Sequence, residues 1–148
     1  MSFLRALDIS ASGMTAQRMR LDIAAENVVN INTTRTENGG PYRRKMAVFE
    51  PIGGTSFDQV FRSTVARQRQ SAAGGVRVAE IVEDERPFQM VYDPSHPDAD
   101  ENGYVQMPNV DLLKETVDSM AATRAYDANL TVFNTVKNMA TKALEIGR

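Results

Sequence analysis

The stretch that decides the architecture is Phe3-Leu-Arg-Ala-Leu7-Asp-Ile-Ser-Ala-Ser-Gly-Met14-Thr-Ala-Gln-Arg-Met-Arg-Leu21-Asp-Ile-Ala-Ala-Glu-Asn-Val28. It contains no proline and one glycine, Gly13, and its apolar residues Leu7, Met14, Leu21 and Val28 form a seven-residue series. Phe3, Ala24 and Ile31 lie on a neighbouring row, while Arg5, Arg18, Arg20, Asp22 and Glu26 fall elsewhere round the helix. A narrow apolar stripe of that period predicts a long helix in need of a partner. At 1.5 Å per residue it would extend about 45 Å, beyond what a small domain of the same chain could cover.

The other end of the chain repeats the pattern. Pro108-Asn109 offers an N-cap, and Asp111 with Glu115 places negative charge where the helix macrodipole favours it. Val110, Leu113, Val117, Ala121, Ala125, Ala128, Val132, Met139, Ala143 and Ile146 then follow a spacing close to 3.6. Gly147 is a plausible stop. Asn27, Asn30 and Asn32 suit the end of the first helix, because asparagine hydrogen-bonds local backbone and tolerates left-handed conformations.

Between the helices the grammar changes. Asn38-Gly39-Gly40-Pro41, Gly53-Gly54 and Gly74-Gly75 are turn signals, and Tyr42–Phe49, Val76–Val82 and Phe88–Tyr92 read as strands. Phe57–Gln70 fits helix and strand equally. The expected fold class is α+β: long terminal helices pairing as a coiled-coil-like domain, with a small β-rich middle. The expected divisions are 1–33 for the first helix, 34–108 for the middle and 109–148 for the last helix. Charge divides the middle too. From Arg35 to Arg77 eight basic residues face three acids, and from Glu80 to Glu101 eight acids face Arg86. The halves could neutralise each other within one chain or meet across copies.

Composition narrows the function classes. The chain has 148 residues, 42% of them hydrophobic, a formal net charge of -2, one histidine and no cysteine. That balance offers no general attraction to nucleic acid, and the absence of cysteine removes disulfides, thiolate metal sites and cysteine nucleophiles. The first residues show no basic region followed by an apolar one, and no run approaches the roughly 20 apolar residues of a membrane span. No cleaved signal peptide and no membrane insertion are therefore expected.

Chemistry-bearing motifs are few. His96 is the only histidine, so no histidine pair or zinc triad can form, and the paired glycines lack the spacing of a nucleotide-binding loop. Arg43-Arg44-Lys45 could touch phosphates, but sits better as a solvated strand face or a protein contact. Asp98-Ala-Asp100-Glu-Asn102-Gly103 matches the first half of a calcium-binding loop. The second half fails, because the twelfth position is Asn109 where a glutamate should close the site, and Pro94 and Pro97 prevent an entering helix. A calcium-binding interaction module on 98–103 remains the alternative function. No catalytic residue, cofactor or metal site is assigned.

The runs Ile9–Arg18 and Ala25–Thr34 resemble the N-terminal signature of the flagellar rod and hook axial proteins. Thr34-Arg35-Thr36, Gly39–Arg44, Tyr92–Val105, Met107–Val110, Ser119–Asn129 and Lys142–Gly147 are similar to the rod branch of that family, in order and over nearly the whole chain. Glu26 and Val29 stand where related proteins often have asparagine and alanine. The resemblance implies a structural, non-enzymatic subunit of the proximal rod of the flagellar basal body that helps transmit torque. Its implied partners are other copies of itself, other rod proteins and the flagellar type III export apparatus, which would carry it across the cytoplasmic membrane. It also implies that 25–32 and 124–129 pack in the rod's inner layer, with the middle outside. Subunit contacts are expected along Leu7, Met14, Leu21, Val28, Asn27, Asn30, Arg124, Tyr126, Asn129, Val132 and Met139.

Overall fold

The computed structural model describes residues 3–37, 39–52 and 74–146. Helix α1 runs Phe3–Val29, strand β1 Lys45–Pro51, β2 Val76–Glu83, β3 Gln89–Tyr92, β4 Tyr104–Met107, and helix α2 Leu112–Ile146. The fold is α+β, with two long helices around short paired strands. The region Phe57–Gln70, the Gly53-Gly54 turn and the Gly147 stop lie outside the described residues.

Helix α1 ends at a local cap rather than at a proline. Asn30 donates from Nδ2 to the Glu26 carbonyl at 2.9 Å, and its Oδ1 accepts from the Thr33 hydroxyl at 3.1 Å, so the last turn keeps its carbonyls occupied. Helix α2 begins two residues later than an N-cap at Asn109 suggested. The cap is Asp111, whose Oδ1 accepts the amides of Leu113 (3.0 Å) and Lys114 (3.4 Å), the donors a helix start leaves free. Asn109 is buried and used elsewhere.

Strands β1 and β2 form one two-stranded sheet. Asp84 N–H donates to the Arg44 carbonyl and Ile52 N–H to the Gly75 carbonyl, so the ladder is antiparallel. β1 starts three residues after Tyr42, because Tyr42 and Arg44 turn inward. The second sheet pairs β3 with β4, Gln89 opposite Met107 and Tyr92 opposite Tyr104. β4 was not expected from the sequence: four residues after an acidic, proline-bracketed loop carry too little pattern, and pairing with β3 makes them a strand. Gly103 returns the chain with φ of +79°, and a Cβ there would lie 3.0 Å from the Tyr92 ring, so a side chain is excluded on both counts.

The chain divides into two compact units. One comprises 1–18, 48–79 and 123–148; the other 19–47 and 80–122. In the first, Ser12 Oγ accepts the Val76 amide at 3.1 Å and donates to the Ile9 carbonyl at 2.7 Å, tying α1 to the start of β2. Gly13 faces Asn129, and a Cβ built on Gly13 would lie 3.0 Å from both terminal atoms of that amide. The glycine lets the helices approach closely. In the second unit Ile23, Ala24, Val105, Val110 and Ala122 are buried. There Arg20 pairs with Asp118, and Asn27 meets Glu115, so the helices run antiparallel.

The helix contact does not use the apolar series read from the sequence. Gly13, Arg20 and Asn27 face α2, and Met14, Leu21 and Val28 each follow one position later, roughly 100° round the helix, where they are half-buried. On α2 the inward residues include Glu115 and Ala122, so Val117 lies on the opposite side and is 59% exposed.

Candidate functional site

Two features of the second unit and of α2 stand out: a buried polar junction and an exposed apolar helix face. The junction starts from Asn27, 1% exposed in the last turns of α1. Its Oδ1 accepts from the Lys45 amide at 2.9 Å and the Tyr42 hydroxyl at 3.0 Å. Its Nδ2 donates to the Lys45 carbonyl and to Glu115 Oε2, both at 2.9 Å. A side-chain amide has two donors and two acceptor positions, and all four are used.

Glu115 is buried in the first turn of α2, and its other oxygen accepts from Arg44 Nε at 2.5 Å. Arg44 lies 3.8 Å from Asp84 Oδ2, and its amide donates to Asn109 Oδ1 at 2.8 Å. Asn109 Nδ2 in turn donates to the carbonyls of Asp84 (3.0 Å) and Arg86 (3.1 Å). One connected network thus joins α1, the start of β1, the residues just past β2, the loop before α2 and the first turn of α2. Fully partnered, it adds rigidity and fixes register; half-partnered, it would leave a buried charge exposed to no compensation.

The electrostatics follow the geometry. The Arg86 guanidinium, hydrogen-bonded to Asp84, holds that carboxyl below its ordinary range, helped by Arg44, and Arg86 is itself raised by the same bond. Burial first, then the carboxylates of Glu26, Glu115 and Glu83, push the Tyr42 phenol up to about 12. The basic and acidic halves of the middle therefore meet within one chain at Arg44 and Asp84, and Arg43 Nη1 also donates to the Asp84 carbonyl at 3.2 Å.

The expected contact residues fall into different places. Leu7, Met14, Leu21 and Val28 are half-buried, as are Asn30, Tyr126 and Asn129. The Asn27 amide has a full set of hydrogen-bond partners inside the chain. Asn129 bonds the Ala125 carbonyl at 2.9 Å beside Gly13. Arg124, Val132 and Met139 are exposed, the last two at 51% and 57%. They share the outward side of α2 with Leu113 and Val117. Glu115, Arg44, Asp84 and Asn109 were missed as a group. The sequence reading takes Glu115 only as a charge suited to a helix start.

The 98–103 loop does not gather its carboxylates. Asp100 Oδ1 accepts the amides of Asn102 and Tyr104, and Asp98 Oδ2 accepts from the Thr34 hydroxyl at 2.8 Å. Asp98 N–H donates to His96 Nδ1. The loop is a turn that joins β3 to β4. Among the described residues no group of three or more histidine, aspartate or glutamate side chains could hold a metal ion. Among them, too, no helix is long and apolar enough to cross a membrane.

Known proteins resemble this chain in two ways. Residues 7–35 match the family described as flagella basal body rod protein, and 101–146 match the flagellar basal body rod FlgEFG protein C-terminal family. The flagellar basal-body rod protein FlgC of Bacillus subtilis is 47% identical over 152 residues, covering 100% of both chains. FlgC of Borreliella burgdorferi is 41% identical with 99% of this chain and 98% of its own covered, and FlgC of Aquifex aeolicus 38% identical with 98% and 97% covered. The matched segments hold most of α1 with its cap, and β4 with α2, and they carry Asn27, Asn109 and Glu115 of the buried junction. The chain belongs to the FlgC family of flagellar basal-body rod proteins.

Proposed function

We propose that the chain is a structural subunit of the proximal flagellar rod, assembled with other copies and other rod proteins through its two long helices. The observation that carries this reading is the outward side of α2, where Leu113 is 74% exposed, Val117 59%, Val132 51% and Met139 57%. Apolar side chains in helical register are left in water by a single chain, and such rows mark contact surfaces. A contact between different patches of like subunits closes into a ring or continues as a helical tube. The buried junction gives that tube its stiffness, since torque passing from helix to sheet must cross groups that are hydrogen-bonded on every side.

The subunit reaches the rod by flagellar type III export, which moves an unfolded chain without a cleaved peptide. Buried asparagine, arginine and glutamate suit that route, because each is well hydrated in the unfolded chain and finds its partners on folding. In-frame deletion of the gene is expected to abolish motility and stop rod and hook assembly. Complementation by Val117→Asp/Val132→Asp, at normal protein levels, should fail while the wild-type gene succeeds. A swimming deletion strain would overturn the rod role; full rescue by the double variant would overturn the assignment of the helix face.

A further inference from the structure

The β3–β4 hairpin leaves most of its surface uncovered. Val105 is 2% exposed and anchors one face, but Met90 is 55% exposed, Tyr92 64% and Tyr104 43%. The register puts Met90, Tyr92, Tyr104 and Gln106 on the other face, where the two tyrosine rings meet edge to face at 5.2 Å. A two-stranded ribbon is marginal in water and gains most from packing against a further element. Its tip is acidic: Asp93, Asp98, Asp100 and Glu101 lie in the loop, and no lysine or arginine occurs between Arg86 and Lys114.

The complementary surface is on the same sequence. Along the C-terminal half of α2, Arg124, Ala128, Val132, Thr135, Met139 and Lys142 recur at helical spacing, and all six are exposed. Two apolar side chains stand between two cations, while Asp127 and Glu145 fall off that side of the helix. Hairpin face and helix face are both exposed in the single chain.

Building on the rod-subunit reading, we propose that the β3–β4 hairpin of one copy seats on the outward face of α2, residues 124–142, of a second copy. Met90, Tyr92 and Tyr104 cover Val132 and Met139, and the acidic tip lies against Arg124. The charges choose the partner and its direction, and the apolar contact supplies the affinity. Because the two patches differ, the contact is head-to-tail and propagates from copy to copy.

The chain has no cysteine, so introduced thiols are unique. Two differently tagged copies, Tyr92→Cys in one and Val132→Cys in the other, would be co-expressed in the deletion strain and treated with a short bismaleimide. A species carrying both tags is expected, and it should vanish when either cysteine is omitted. The pair Met90→Cys and Met139→Cys serves as a second probe should the first impair folding. Charge reversal tests direction: Glu101→Lys and Arg124→Glu should each reduce swimming several-fold, and their combination should restore it. Motile cells without a two-tag species from either pair, or adducts of the hairpin only to a different protein, would overturn the docking proposal while the rod role stands. A swimming deletion strain would instead remove the rod role itself.

Discussion

The amide of Asn27 and the carboxylate of Glu115, 88 residues apart in sequence, meet at 2.9 Å where both side chains are 1% exposed. This bond, with the Arg44 pair on the other carboxylate oxygen, locks the end of α1 to the start of α2. Its value lies less in net stabilisation than in the penalty for breaking it. A buried charge pair often does no better than an apolar substitute, yet removing one partner strands the other.

Glu115→Ala should therefore destabilise the purified chain by about 3–5 kcal/mol, leaving Arg44 with the 3.8 Å contact to Asp84 and one of the two Nδ2 hydrogens of Asn27 without its acceptor. Asn27→Ala should cost about 1–3 kcal/mol, and the double variant less than the sum of the two. Urea unfolding with Glu145→Ala as an exposed control measures all four. Equal midpoints for Glu115→Ala and the control would refute the role assigned to the junction.

Tyr42 makes the network sensitive to alkali. Its phenol ionises at about 12 in the folded chain, against about 10 when unfolded, so the folded state holds the proton more tightly. The stability this contributes is complete below pH 10 and is lost as pH rises through 12. Tyr42→Phe should lose about 1 kcal/mol at neutral pH, with the hydroxyl bond to Asn27, and show a shallower alkaline limb. Parallel alkaline limbs for the two proteins in unfolding curves would contradict the assignment.

The start of α2 distinguishes a cap from a buried strut. Asp111→Ala removes a side-chain cap and should cost about 1 kcal/mol. Asn109→Ala takes the acceptor from the Arg44 amide and a donor from each of the Asp84 and Arg86 carbonyls, of which the first keeps Arg43, and should exceed it, at about 2–3 kcal/mol. The opposite order in thermal melts would return the cap to Asn109.

Gly13 sets how near α1 and α2 can come in the first unit. Gly13→Ala meets only the end of the Asn129 side chain, which can turn aside, and regains up to about 1 kcal/mol of helix propensity. It should be close to neutral. Gly13→Leu has no such escape and should destabilise by about 1–3 kcal/mol through overpacking. Circular-dichroism melts in which both variants match the parent would show that the helices are not in close contact there.

How much was legible in advance depended on how local the cause was. Helix α1, strand β2 and strand β3 were readable because their periodicity and turn residues act within a few positions, and Asn30 was rightly placed among helix-end residues. The cap was misplaced by two residues because Asn109 and Asp111 both have the chemistry of an N-cap, and which one turns outward depends on Arg44 and Asp84. β4 escaped because a four-residue strand is defined by its partner.

The sequence by itself determined that two long helices flank a β-containing middle and that their apolar rows exceed what one chain can bury. Period, glycine and proline placement, and charge are properties of neighbouring residues, and no later contact changes them. Tertiary structure decided which row faces which. The helices meet through Gly13, Arg20, Asn27, Glu115, Ala122 and Asn129, because small residues permit close approach and polar ones find complete sets of partners there. That choice leaves Val117, Val132 and Met139 in water. Hydrogen-bond satisfaction in the interior is a condition on groups brought together from four segments of the chain, so periodicity could reveal the apolar row but not the side on which it would lie.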